Sequence, residues 1–538
     1  TIYADMPDWN PAEMIGSHPR PLAYSMYDYL IMNKAWRIAR GAIGYKNPKS
    51  TKLMVNLLGH AFVDVRASFN NLTPETLPEE LFEKLINYYL TTLTVQPDMH
   101  DKVEFEILFT CLDFSFDEQS NKLKENGFNE NEINILKNHL YQLTNNIVSG
   151  KIQSITDLLK LFEKRTSRSK KIMKDYAKSG DWALTIKLLL DDCITYGTIP
   201  FSILARYAFI ANSLLRSLVM RNALSYDRLN QFFNSIDTVA TELVDDIDKY
   251  FNGILAKSNF TKKYGHLRPG TYDITSRTYS ENFDYYFMHQ EGNKKKSTDF
   301  DQENFSLTKT EKQNIRKLLD EYNFSFEVEE LLDFSKKAIS LREFGKFEFT
   351  KSISNVFDLI IEFGRKIEIN RNDLSFLNIY DLINTSNILN PWHMNKILEN
   401  IVKKNKKLYA RNKLIYLPNI ITSLDNINLI KIPKARPNYI TQGKVSGKTA
   451  FLDNTQVINN LAGKIILIEG ADPGYDWIFT HDIIGLITKY GGSASHMTIR
   501  ANEFNLPAAI GCGEDLFSKI VQANIIELNC AEKYINVY

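Results

Sequence analysis

Cysteine is scarce: Cys111, Cys193, Cys512 and Cys530 are the only four in 538 residues, widely spaced and without a CxxC pair. That excludes a disulfide framework and the common zinc and dithiol motifs, and leads us to expect a reduced, cytoplasmic protein with no metal site. Excess charge is missing too. The 65 Lys and Arg stand against 64 Asp and Glu, a formal +1, so nothing argues for nucleic acid or a membrane surface as partner. Local basic runs such as Lys164–Lys171 read as solvated helix faces. No apolar run of spanning length occurs: Phe201–Met220 is interrupted by Arg206, Asn212 and Arg216 and reads as a buried helix. The opening residues Thr1–Ile15 hold Asp5, Asp8 and Glu13 where a signal peptide has an apolar centre. A Walker-type phosphate loop is also lacking, so this chain alone is not expected to use ATP.

What is present is an ordinary globular composition, 44% hydrophobic and 24% charged, in a chain too long for one core. Proline-rich turns and short strand-like runs fill the first 80 or so residues; in Ala61–Arg66, alternation predicts a strand with Asp64 and Arg66 on one face. Helical spacing then prevails to about residue 425, as in Leu81, Leu85 and Tyr88 or Ile133, Leu136, Leu140 and Leu143. Gln290–Asn304 reads as an exposed loop, and Pro433 and Pro437 break the pattern. Beyond them, the runs Lys464–Glu469, Ile483–Thr488, Ala508–Ile510, Asn524–Leu528 and Tyr534–Tyr538 predict strands alternating with short helices. The expected fold is multidomain α+β: a large α-rich domain over 1–430 with short N-terminal strands, a hinge linker over 431–441, and a compact α/β domain over 442–538.

The chemistry concentrates near the end, in Gly491-Gly492-Ser493-Ala494-Ser495-His496-Met497-Thr498-Ile499-Arg500. Two glycines make a tight turn, Ser493 and Ser495 are caps, and His496 opens a helix that Pro507 cannot prolong. An imidazole there is a nucleophile near pH 7, and a phosphoryl group on it would sit in the positive field of the helix start. Arg500, one turn on, shares that face and is a candidate phosphate contact. Together with Glu503 to Gly511 the stretch resembles the phosphohistidine swivelling domain of the phosphoenolpyruvate-utilising enzymes, which include phosphoenolpyruvate synthase, pyruvate phosphate dikinase and rifampin phosphotransferase. The resemblance implies that His496 carries the phosphoryl group and that residues 442–538 swing about the linker. Thr498 and Asn502 depart from the family's usual alanine and arginine.

Other stretches extend the likeness. Tyr264-Gly265-His266-Leu267-Arg268-Pro269-Gly270 is similar to a motif in the acceptor domain of the rifampin-phosphotransferase branch, making His266 and Arg268 catalytic candidates: a base for the acceptor and a cation for incoming phosphate. Leu341-Arg342-Glu343-Phe344 is a further echo, with Arg342 and Glu343 as substrate-binding candidates. Relatives carry an ATP-grasp domain ahead of the acceptor domain, which implies that ATP and Mg2+ are bound by a domain absent from this chain, in cis or in trans. With the chain ending soon after His496, no C-terminal phosphoenolpyruvate-binding barrel is expected. The opening Asp5–Gly16 and Gly59–Arg66 resemble phosphoenolpyruvate-synthase-like proteins of capsule clusters, a group that includes L-glutamine kinases. That likeness implies transfer of the ATP β-phosphoryl to His496 and then to the side-chain amide of L-glutamine, releasing AMP and phosphate. The alternatives are a rifampin-type antibiotic phosphotransferase and a non-catalytic phosphocarrier. An amino-acid acceptor needs a cation for its carboxylate and an anion for its ammonium, for which Arg20, Arg66, Asp64 and Glu13 are candidates. Glu104, Glu106 and His266 are candidates for the base.

Overall fold

The three- and four-residue spacing of apolar positions produces helices where it occurs, among them Glu79–Val95 and Glu130–Val148, the latter opened by an Asn129/Glu132 capping box. A computed structural model describes residues 2–49, 51–287, 305–384, 391–425, 437–452, 460–492 and 495–538. Helices fill most of the chain up to Asn412 and a seven-stranded sheet follows, giving a multidomain α+β protein. Gln290–Asn304, the prolines' segment as far as residue 436, and Ser493 lie outside the described residues.

The backbone of the helical part is the 39-residue helix Val328–Lys366, which lies along Ile199–Met220. Aromatic pairs fix the contact, with ring centroids 5.0 Å apart for Phe201 and Phe349 and 5.7 Å for Tyr207 and Phe334. Arg206 is buried in the middle of this packing and meets Glu104 and Thr110. The apolar stretch Trp182–Met220 is mostly buried inside the protein, as expected of a core helix.

A small antiparallel sheet closes this part. It is built from β1 (Tyr3–Ala4), β2 (Met54–Leu57), β3 (His60–Asp64) and β4 (Ile420–Ile421) in the order β2-β3-β1-β4, so the start of the chain pairs with residues some four hundred positions on. The strand expected over Ala61–Arg66 ends at Asp64. Its carboxylate accepts a hydrogen bond from the Ala67 N–H at 3.1 Å and caps the helix Val65–Asn70, which carries Arg66 away from the strand face.

The C-terminal sheet comprises β5 (Asn438–Ile440), β6 (Lys444–Phe451), β7 (Ile465–Ile468), β8 (Gly485–Thr488), β9 (Ala508–Ile510), β10 (Ile525–Asn529) and β11 (Tyr534–Val537), ordered β11-β10-β6-β7-β8-β9-β5. Its centre, β6 to β9, is parallel; β7 and β8 are buried at every position, as strands covered on both faces must be. Ile465, Leu467 and Ile487 face the helix Gly513–Val521. Ile466, Ile468 and Leu486 face the helix His496–Glu503 and continue into an aromatic cluster of the helical part around Phe260, Tyr264 and Tyr279. Asn438–Ile440, at the end of the segment expected to be linker, is strand instead, because it pairs antiparallel with β9 from Asn438↔Ile510 to Ile440↔Ala508.

Candidate active site

His496 is the first residue of its helix, and Ser495 in front of it caps the helix by accepting the Thr498 N–H. The turn before it depends on Gly491, whose φ of 145° is open to glycine; a Cβ there would come within 2.8 Å of Ile510. Thr498, the departure from the family's alanine, braces the turn by donating to the Gly492 carbonyl at 2.9 Å.

The imidazole is buried between two carboxylates. Nδ1 lies 3.0 Å from Glu343 Oε2 and Nε2 lies 2.7 Å from Asp476 Oδ1. Carboxylates only accept, so both ring nitrogens donate and the ring is an imidazolium. Burial works against that charge, but Asp476 and Glu343 outweigh it and hold the pKa up to about 9. Glu343 is held well below the usual carboxylate range: burial opposes its charge, and Arg342 and His496 overcome it. Asp476 and His496 belong to the sheet unit, whereas Glu343 sits on the long helix of the other part; the site closes across the seam.

Asp476 lies in Gly470–Asp476, where Pro473 and Gly474 read in sequence as an ordinary turn. In the structure Asp472 caps the short helix Pro473–Thr480 by accepting the Gly474 N–H at 2.7 Å, and this delivers Asp476 to the histidine. A Cβ on Gly474 would stand 1.9 Å from the Arg268 carbonyl oxygen. Gly474→Ala is therefore expected to part the two units and eliminate acceptor-side activity, while the isolated sheet unit keeps its melting temperature by circular dichroism.

Two cavities meet at His496. One is lined by Val239, Leu243, His266, Arg268 and Phe347; the other, of about 170 Å³, by Asp8, Trp9, Glu13, Arg40, Glu104 and Arg206. Glu343, Lys346 and His496 border both. In the second cavity charges are paired: Arg40 holds Asp8 at 2.7 Å, and Arg206 holds Glu104. Arg342 also lines it and donates to Glu343 from Nη2 at 3.0 Å.

Of the residues singled out in sequence besides His496, His266 and Arg268 line the first cavity, Glu13, Glu104, Arg342, Gly492 and Ser495 the second, and Glu343 both. His266 Nε2 donates to the Phe347 carbonyl at 3.2 Å, and burial together with Lys351 pushes its pKa down to about 3, so the ring is neutral and a weak base. Burial and Arg371 lower Arg268 to about 10, which leaves it charged at neutral pH. Arg20 bonds to Asn372 and Ser375, Arg66 to Asn87, and Glu106 is exposed; these three and Asp64 border neither cavity. Arg500 is fully buried, 3.5 Å from Asp476 Oδ1 and paired with Glu503, and it orients the carboxylate behind His496 instead of facing a cavity. Asp8, Arg40, Arg206 and Lys346 escaped sequence reasoning as site residues; the Asp8–Arg40 and Glu104–Arg206 pairs join distant segments and leave no local pattern.

Residues 461–533 match the family described as PEP-utilising enzyme, mobile domain. The match falls on the sheet unit and includes His496 and Asp476. Among proteins of known identity it is similar to rifampicin phosphotransferase of Bacillus cereus, 27% identical over 171 residues, covering 30% of this chain and 18% of that protein. Rifampicin phosphotransferase of Bacillus subtilis is 22% identical over 330 residues, covering 55% of this chain and 36% of that protein. The matches cover less than a fifth of the first relative's length and little more than a third of the second's.

Proposed function

We propose that this chain is the acceptor and carrier portion of a phosphohistidine phosphotransferase. His496 takes a phosphoryl group from ATP, bound with Mg2+ on a nucleotide-binding module in cis or in trans, and passes it to a small acceptor in the second cavity. The observation that carries the reading is the placement of His496: one imidazole at the start of a helix in a mobile-domain fold, bordering two cavities, with Arg342 and Lys346 beside it. Two cations at that point would offset the charge of a phosphoryl group in transfer. A cytoplasmic location suits four free, buried cysteines.

For the acceptor we propose L-glutamine, with the ATP β-phosphoryl as the group transferred and AMP and phosphate as the other products. In support, a cavity of about 170 Å³ falls below the roughly 300–1,000 Å³ of drug-sized sites and suits a molecule of amino-acid size. Its lining offers both signs of charge, as a zwitterion requires. The second reading is rifampicin, favoured by the names of both relatives. Challenging the phosphorylated protein separately with the two compounds decides between them by 31P NMR. A new N-phosphoryl amide signal with L-glutamine is expected; phosphorylated rifampicin with glutamine unchanged would replace the first reading by the second.

A further inference from the structure

Glu13 is a buried carboxylate at the reaction centre for which the described residues supply no ion-pair partner. It is 8% exposed and lines the cavity that His496 borders, and its carboxylate accepts a hydrogen bond from the Asn10 amide at 3.3 Å. The other buried acids of that cavity are committed: Asp8 to Arg40, Glu104 to Arg206, and Glu343 to His496 and Arg342. Asp101 is partly exposed.

The backbone around Glu13 is held in an uncommon conformation. Trp9 (φ 55°) and Asn10 (φ 38°) are consecutive non-glycine residues in the left-handed region, and Asn10 starts the five-residue helix Pro11–Ile15 that carries Glu13. Strain of this sort costs on the order of 1–3 kcal/mol per residue and persists where surrounding contacts impose it. Here Tyr27 donates to the Trp9 carbonyl, and the Glu13 carbonyl packs so closely on Gly470 that a Cβ would meet it at 2.8 Å. The Glu13 carboxylate is turned toward the Gly492 N–H, in the loop that leads to His496.

We propose that Glu13 is the general base that receives the proton of the acceptor's attacking nitrogen; this rests on the phosphotransfer to an amide proposed above. The acceptor nitrogen bonds to phosphorus as the P–N bond to His496 breaks, and the electron pair of that bond returns to the imidazole. The proton shed by the acceptor passes to Glu13 and from it to the imidazole. The nitrogen that carried phosphorus thereby regains its proton, and no outside acid or base is consumed in the transfer. Burial raises the pKa of Glu13 against the opposing pull of Lys346 and Asn10, which brings a carboxylate nearer the pH at which a base is effective. The candidates from sequence serve less well: Glu104 is ion-paired, Glu106 is exposed outside the cavity, and His266 is too weakly basic.

The test separates the two half-reactions in the protein joined to its nucleotide-binding module. Glu13→Gln is expected to accumulate phosphate on His496 from ATP as the unaltered protein does, yet to discharge it to L-glutamine about 10²- to 10⁴-fold more slowly. The acid limb of the single-turnover pH profile should vanish with it. Glu13→Asp, which keeps the carboxylate and withdraws it, should retain that limb at a reduced rate and serves if the glutamine variant does not fold. Discharge of either variant at the unaltered rate overturns the assignment. Label retained by the unaltered protein in the presence of L-glutamine overturns the amide acceptor and the base together, leaving the carrier intact. Absence of label on His496 overturns the carrier reading itself.

Discussion

Replacement of His496 by asparagine is expected to abolish the acid-labile phosphoprotein formed from ATP and, with it, turnover by about 10⁴-fold or more, as loss of a covalent nucleophile does. Asparagine preserves a polar group of similar reach at the helix start, so the Ser495 cap and the packing of Met497 and Ala501 beneath it should survive. An unchanged melting curve alongside lost label would tie the defect to chemistry. Asp476→Asn provides the complementary measurement, since it removes the carboxylate 2.7 Å from Nε2 without removing the nitrogen. Label should form in that variant more slowly. Full label in His496→Asn, by phosphoamino-acid analysis after alkaline hydrolysis, would refute the carrier assignment.

The strongest local signals in the sequence were those with a backbone reason. Gly491-Gly492 before Ser495-His496, and Pro507 after, delimit a turn and a short helix by stereochemistry alone, and the helix runs His496–Glu503. The β7, β8 and β9 runs were legible because central parallel strands are apolar throughout. β6 was missed: along Lys444-Val445-Ser446-Gly447-Lys448-Thr449-Ala450-Phe451 only Ala450 is buried, the rest being exposed or half-buried, and two lysines and a glycine dilute the pattern. The partner of His496 on the long helix is separated from it by 153 residues, and no local periodicity carries such a contact. Arg342 and Glu343 could be noticed in sequence by resemblance, but which of them faced the histidine depended on docking between two units. Arg20, Arg66 and Asp64 illustrate the converse. Charged residues beside a family-like motif looked functional, yet each is used structurally, in hydrogen bonds or as a helix cap.

The docked arrangement carries its own pH dependence. His496, raised from an ordinary 6.5 to about 9, contributes to holding the units together fully below pH 6.5 and loses that contribution as pH rises through 9. Glu343, lowered from 4.5, contributes above pH 4.5 and loses its contribution only in stronger acid. Docking is thus expected to be tightest in mild acid and to weaken as pH rises through 9, by the part of the His496 shift that Glu343 supplies, because Asp476 belongs to the same unit as the ring. The same clamp keeps the histidine inactive as a nucleophile, for at pH 7 only about one docked molecule in a hundred has a neutral ring. Under the proposed carrier role, phosphorylation is expected to require release from Glu343, which belongs to the helical part, whereas Asp476 belongs to the same unit as the ring. Glu343→Gln removes the anion and keeps the shape. It should lower the His496 pKa by at least about one unit, read from its imidazole resonances by NMR, and speed label formation at pH 7 by up to about tenfold. In the same variant, closure between the units should lose its dependence on pH between 6.5 and 9, measured as the distance between two dyes. An unshifted imidazole titration would mean that Asp476 alone holds the proton and that the seam contributes nothing to it.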